Sequence, residues 1–275
     1  MNTRRQKIRR LCECAMMIAL ATVLSMIKIY EAPWGGSVTL FSMVPILICG
    51  YVYGAKTGFA TAFVYSVIQL LFGIGTVAYV PDPLGIVLCI LLDYTFAFTV
   101  LGIAGLFRNL RLTASEEKNR YINLTLGSLS ALILRFALHI LSGAVVWYAI
   151  TKEGAWNEAV FKYSKWVYSV VYNSAFMVPE IILTVAAVPV AVYLVKLVWG
   201  GRTASAKEKS VATLDRMTLV KLILGGITLV GGILLLALLS EIVALVGGIL
   251  LLLGGVLLLV SALFGGKKEK REEKD

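Results

Sequence analysis

Residues 135–147 read Arg135-Phe-Ala-Leu-His-Ile-Leu-Ser-Gly-Ala-Val-Val-Trp147, inside an apolar segment that runs from 122 to 150. A run of that length and polarity is a membrane-crossing helix, and it fixes the class of the whole chain. His139 is the single histidine among 275 residues. Arg135, His139, Gly143 and Trp147 recur every four residues, which sets them on one stripe of a helix. An arginine and a histidine are costly in hydrocarbon, so they face a bundle interior or a watery cavity and mark a functional site. Gly143 opens room beside them, and Trp147 offers a flat π face. These are the parts of a pocket for a flat, polar or cationic organic ligand. A plainer reading stays open: Arg135 neutralised by a carboxylate on another helix, and His139 a satisfied core residue.

Working outward, 59% of the residues are hydrophobic, only 15% are charged, and the mean hydropathy is +0.86. Those values describe an all-α polytopic membrane protein. The net charge of +10 would suggest nucleic acid in a soluble protein. Here the basic residues collect on one set of termini and loops. The exceptions are Arg135 itself and the outer Lys28, Lys152, Lys162 and Lys165. This is the positive-inside pattern, so no nucleic-acid partner is implied. The four cysteines, Cys12, Cys14, Cys49 and Cys89, lie in or beside apolar helices and outline neither a metal site nor a disulfide framework. The basic N-terminus precedes a long apolar run without a small-residue cleavage site, which reads as a retained helix.

Along the chain, hydropathy predicts helices over about 11–30, 39–53, 58–74, 85–107, 122–150 and 167–197. A short outer connection, 31–36, joins the first two. Pro179 is expected to kink the sixth. Residues 1–198 thus form a six-helix membrane domain, and 199–217 a polar cytoplasmic linker. A transmembrane hairpin is predicted over 218–264, with helices at about 218–239 and 242–264. The stretches Val230-Gly-Gly-Ile-Leu-Leu-Leu236 and Val246-Gly-Gly-Ile-Leu-Leu-Leu252 repeat each other within it. Its glycine pairs suit close helix packing, and its ionisable residues, Lys221 and Glu241, stand at the start of its first helix and at its turn, which leaves none at mid-span to make a site. A charged cytoplasmic tail, 265–275, ends the chain. Eight spans place both termini in the cytoplasm.

Three spans carry polar residues at membrane depth. The fourth has Asp93-Tyr94, the fifth has Arg135, His139 and Trp147, and the sixth has Tyr168, Tyr172, Asn173 and Glu180. A buried carboxylate and aromatic faces suit a delocalised cation, and Asn173 suits a heterocycle edge. One arginine cannot neutralise both acids. His-Glu-x-x-His, Cys-x-x-Cys, Walker A and Gly-x-Ser-x-Gly are all missing from the sequence. No catalytic residue, metal or cofactor is therefore expected, and an energy source must come from a partner or an ion gradient.

Four segments carry a family resemblance: Gly35-Gly-Ser-Val-Thr-Leu-Phe-Ser-Met-Val-Pro-Ile46, Leu91-Leu-Asp-Tyr-Thr-Phe-Ala-Phe-Thr-Val-Leu-Gly-Ile-Ala-Gly-Leu-Phe107, residues 135–147, and Tyr168 with Asn173. In order and in register, over about 8–198, they resemble the thiamine-specific S components of energy-coupling-factor transporters, the ThiT or YuaJ type. The resemblance implies a six-helix subunit of a bacterial cell membrane. Such a subunit captures thiamine near the outer surface and docks on a shared transmembrane coupling subunit with two cytoplasmic ATPases. It implies ligand contacts at Asp93, Tyr94, Arg135, His139, Gly143, Trp147, Tyr168 and Asn173, and at Trp34 and Tyr79 in the outer loops. It also implies partner docking at Ala15 and Ala19 of the Ala15-Met-Met-Ile-Ala19 motif. The hairpin lies beyond the resemblance. Thiamine joins a cationic thiazolium, an aminopyrimidine and a hydroxyethyl arm, which match the polar and aromatic residues read above. A precursor of thiamine or riboflavin is the alternative ligand. A membrane enzyme using Asp93 and His139 as acid and base is the alternative class.

Overall fold

The computed structural model describes residues 3–32, 35–206 and 254–255. The predicted hairpin, most of the linker and the tail lie outside the described residues, as does Trp34. The elements in order are α1 (Thr3–Met26), β1 (Lys28–Glu31), β2 (Ser37–Thr39), α2 (Val44–Tyr53) and α3 (Ala55–Val77). Then come α4 (Pro83–Leu106), α5 (Glu116–Glu153), α6 (Ala159–Lys162), α7 (Lys165–Ala186) and α8 (Val188–Ala206). Among the described residues α3, α4, α5 and α7 are long and apolar enough to cross a membrane, and the chain is a helical multi-pass membrane protein.

Local sequence explains where these elements start. Asp82 caps α4, its carboxylate accepting from Gly85 N at 2.5 Å, with Pro83 in the first turn. Ser115 caps α5, followed by Glu116 and Glu117 at the positive end of the helix dipole.

The structure departs from the predicted helices in three places. The first helix ends at Met26, and Lys28–Glu31 and Ser37–Thr39 form an antiparallel β-hairpin that pairs Tyr30 with Val38 and Glu31 with Ser37. Its turn uses Gly35 (φ 103°) and Gly36 (φ 88°), a backbone region that other residues adopt at a cost. Second, α2 starts five residues later than predicted, with Pro45 in its first turn. Its ten residues span roughly 15 Å, about half of a bilayer core. It is buried on nearly all sides and forms the centre of the molecule. Third, α7 runs unbroken through Pro179, and the interruption falls at Ala187. Pro189 is the physical reason: its ring crowds the carbonyl four residues back and it lacks an N–H. The last helix continues to Ala206, into the stretch read as linker.

Packing places α2 between the long helices. Ile46 and Leu47 meet Tyr65 of α3, Leu101 of α4 and Leu132 of α5, all essentially inaccessible. Its other side packs on Val192, Val195 and Trp199 of α8. In lipid this gain comes from van der Waals contact rather than from water release. The contact between α3 and α4 is backbone to backbone: a Cβ on Gly102 would lie 2.4 Å from Phe59 N. At the border below, Glu13 of α1 accepts from Tyr53 of α2 and from Trp199 Nε1 of α8 at 2.7 Å. That bond set fixes which face α1 turns outward, and Ala15, Met16, Ala19 and Leu20 are on it.

Candidate functional site

A cavity of about 450 Å³ opens between the β-hairpin, α3, α4, α5 and α7. Two π-helical turns build its polar end. One, Ile90–Phe96 in α4, carries Asp93 and Tyr94. The other, Gly143–Trp147 in α5, carries its two terminal residues into the same space. A π turn takes one extra residue per turn and is often found at functional sites. In a regular α-helix each step of four residues overshoots a full turn by about 40°, so Trp147 would lie far around the helix from Arg135. The π turn under-rotates the chain and brings Trp147 back to the stripe.

The Asp93 carboxylate is the hub. Its Oδ2 accepts from Ser142 Oγ at 2.6 Å and from Trp147 Nε1 at 2.9 Å. Its Oδ1 lies 3.1 Å from His139 Nδ1. Behind the imidazole, Arg135 donates through Nε to His139 Nε2 at 3.2 Å. The guanidinium also stands over the Phe98 ring, 4.0 Å from its centroid, and places Nη1 2.8 Å from Met43 Sδ. Arg135 makes no direct ion pair among the described residues. The plainer reading, simple neutralisation by an acid, is therefore not what the chain adopts. Glu180 is engaged elsewhere: it accepts from Thr39 N at 2.7 Å and from Thr39 Oγ1 at 2.9 Å, holding β2 against α7.

Aromatic rings form the opposite wall along α7. Tyr168 and Tyr172 stack at 6.0 Å with 25° between planes. Phe176 follows edge-on to Tyr172 at 6.4 Å and to His139 at 5.8 Å. The Tyr172 hydroxyl donates to Gly35 O at 3.0 Å, so the wall and the β-hairpin are tied. Close approach of α5 and α7 needs Gly143, whose added Cβ would sit 2.2 Å from Ser169 Oγ. Asn173 is fixed there, its amide donating to His139 O at 3.2 Å and to Ser169 O at 2.8 Å. On the far side Tyr94 donates to Gly73 O at 3.1 Å, and Gln69 donates to Ser25 Oγ at 2.9 Å.

Eight residues singled out in the sequence, Asp93, Tyr94, Arg135, His139, Gly143, Trp147, Tyr168 and Asn173, line this one cavity. Tyr79 does not: it is 65% exposed and meets Trp156 edge-on at 5.9 Å. Sequence reasoning missed Ser142, Phe176 and Gln69. Phe176 continues the four-residue spacing of Tyr168 and Tyr172, a signal that was present. Ser142 has no such mark, because a serine in an apolar helix bonds its own backbone as readily as a neighbour's carboxylate. Chemically, a carboxylate flanked by flat rings suits a cationic heterocycle.

Three comparisons bear on this architecture. The family description "thiamine transporter protein (Thia_YuaJ)" matches residues 11–198. The thiamine transporter ThiT of Bacillus subtilis (strain 168) is 32% identical over 189 residues, which cover 66% of this chain and 89% of the relative. A solved structure of ThiT from Listeria monocytogenes superposes with a TM-score of 0.54 at 20% identity, covering 69% of this chain and 96% of that one. The last comparison speaks to the fold. The matched span runs from the greater part of α1 through the greater part of α8 and includes every residue that lines the cavity, and on that basis the chain belongs to the thiamine transporter protein family.

Proposed function

We propose that this protein binds thiamine in the cavity and supplies it to an ATP-driven importer, as the substrate-binding membrane subunit rather than as an enzyme. The observation that carries the reading is the Asp93 carboxylate, held by three side chains of α5 at the end of an aromatic-lined cavity of about 450 Å³. An oriented anion beside stacked rings complements a thiazolium and an aminopyrimidine. The Asn173 carbonyl and the hydroxyl oxygens of Tyr94 and Tyr168 belong to residues that line the same cavity, and oxygens of that kind can accept from an amino group or a hydroxyethyl arm. The name of the Bacillus relative supports the same ligand.

Coupling to a shared transmembrane subunit and two ATPases belongs to the same proposal. It is supported by the outward face of α1, where Ala15 and Ala19 are exposed one turn apart. Small residues at that spacing allow a second helix to approach closely. The test is calorimetric titration of the purified protein with thiamine and, separately, with riboflavin. Saturable one-to-one binding of thiamine without turnover supports the reading. Binding of riboflavin alone, or chemical conversion of thiamine, contradicts it.

A further inference from the structure

We propose that Arg135 is a positioning residue that acts through His139. Its guanidinium locks the imidazole as the neutral tautomer protonated on Nδ1, and that ring holds the Asp93 carboxylate ionised and aimed. The inference rests on reading Asp93 as the ligand's acid, and it adds the device that keeps that acid in one charge state.

The argument is one of donors and acceptors. An arginine side chain only donates. With Arg135 Nε 3.2 Å from His139 Nε2, that ring nitrogen has to present its lone pair. A neutral imidazole has one lone pair and one N–H, so the proton sits on Nδ1. Nδ1 faces Asp93 Oδ1 at 3.1 Å, and an ionised carboxylate accepts there. Every other arrangement fails at one contact. An imidazolium sets Nε2–H against Nε–H. The tautomer protonated on Nε2 makes the same clash and leaves Nδ1 facing the carboxylate with two lone pairs. A protonated Asp93 donating to Nδ1 forces the ring proton onto Nε2, back against Arg135. One state satisfies both bonds: cationic arginine, neutral Nδ1–H imidazole, anionic aspartate.

The guanidinium is itself held for this task. Phe98 lies under it, Nη1 meets Met43 Sδ, and among the described residues no acid pairs with it directly. Its hydrogen-bonded connection to Asp93 therefore runs through the ring. Ser142 and Trp147 take Oδ2, so the carboxylate is fixed at both oxygens before any ligand arrives. Outer partners that orient a ligating side chain in this way are known to matter for affinity well beyond their own contacts.

Because His139 is the single histidine, its ring can be observed without ambiguity. The experiment labels the full chain with ring-15N histidine and records its nitrogen shifts at neutral pH in lipid nanodiscs, without ligand. The wild type is expected to show Nδ1 protonated and Nε2 bare. Arg135→Met removes the donor that bars a proton from Nε2 and is expected to let the ring become doubly protonated beside Asp93, with thiamine binding weakened on the order of tenfold. Arg135→Lys keeps a donor and is expected to retain the wild-type tautomer and most of the affinity. A wild-type ring that is Nε2–H or doubly protonated overturns the proposal, as does an Arg135→Met ring unchanged from wild type. A tautomer that responds as stated in a protein that fails to bind thiamine supports the relay and removes the ligand reading instead.

Discussion

Two acids lie deep in the helices facing the same arginine, and they do different work. Asp93 stands on a π turn, lines the cavity, and is held by side chains of one neighbouring helix. Glu180 is 1% exposed on α7, does not line the cavity, and spends both oxygens on Thr39 at the end of the β-hairpin. A carboxylate that accepts a backbone N–H and a hydroxyl from one residue is a clamp. A carboxylate oriented from behind, with its front open to a cavity, is a site. The same residue type at similar depth thus divides into support and recognition by what its partners belong to.

The largest separation comes from neutralising each acid with its amide. Asp93→Asn removes the charge-assisted contact, and a loss of about 1.5–3 kcal/mol in thiamine binding is expected with little change in the melting temperature. Calorimetry beside a thermal melt checks both halves. Equal affinities for mutant and wild type would erase the distinction between the two acids. Glu180→Gln is expected to act in the opposite sense. It loosens β2 from α7 and lowers fold stability by about 1 kcal/mol, with a smaller secondary effect on affinity. A variant that keeps its melting temperature yet loses most of its affinity would make Glu180 part of recognition.

Smaller effects on binding are expected further from the cavity. Ala15→Glu and Ala19→Arg stand on the outward face of α1, so transport in cells is expected to fail while the isolated protein binds thiamine as before. Loss of binding as well would show that the face packs inside the fold. A chain cut after Arg202 is expected to bind with affinity within about tenfold of the full chain, since among the described residues the cavity lining falls within 25–176. A weaker truncation would tie the C-terminal extension to the site.

Much of the site was legible because membrane depth makes polar residues conspicuous. Asp93, Arg135, His139 and Asn173 stand out from hydrophobic runs, and the stripe at 135–147 placed three of its members correctly by helical spacing. The unread parts share a physical origin. The two π turns follow from one extra residue per turn, which leaves no trace in hydropathy. The strands of the β-hairpin are four residues and three, short enough to be absorbed into a helix by any long window. The break at Ala187 falls to Pro189 and not to Pro179. Both prolines cost a backbone bond, and the local pattern does not record that the helix runs through one and is interrupted just before the other.

The account's central claim is that thiamine lies against Asp93, and Trp147 is bonded to that carboxylate, so the indole has to sense the ligand. The direct measurement is a titration of intrinsic fluorescence with thiamine, run on the wild type and on Trp147→Phe, with calorimetry to establish that both are saturated. The wild type is predicted to show saturable quenching, and Trp147→Phe to lose a large share of it at equal occupancy. Quenching in Trp147→Phe that matches the wild type would place the ligand away from Asp93 and contradict the account.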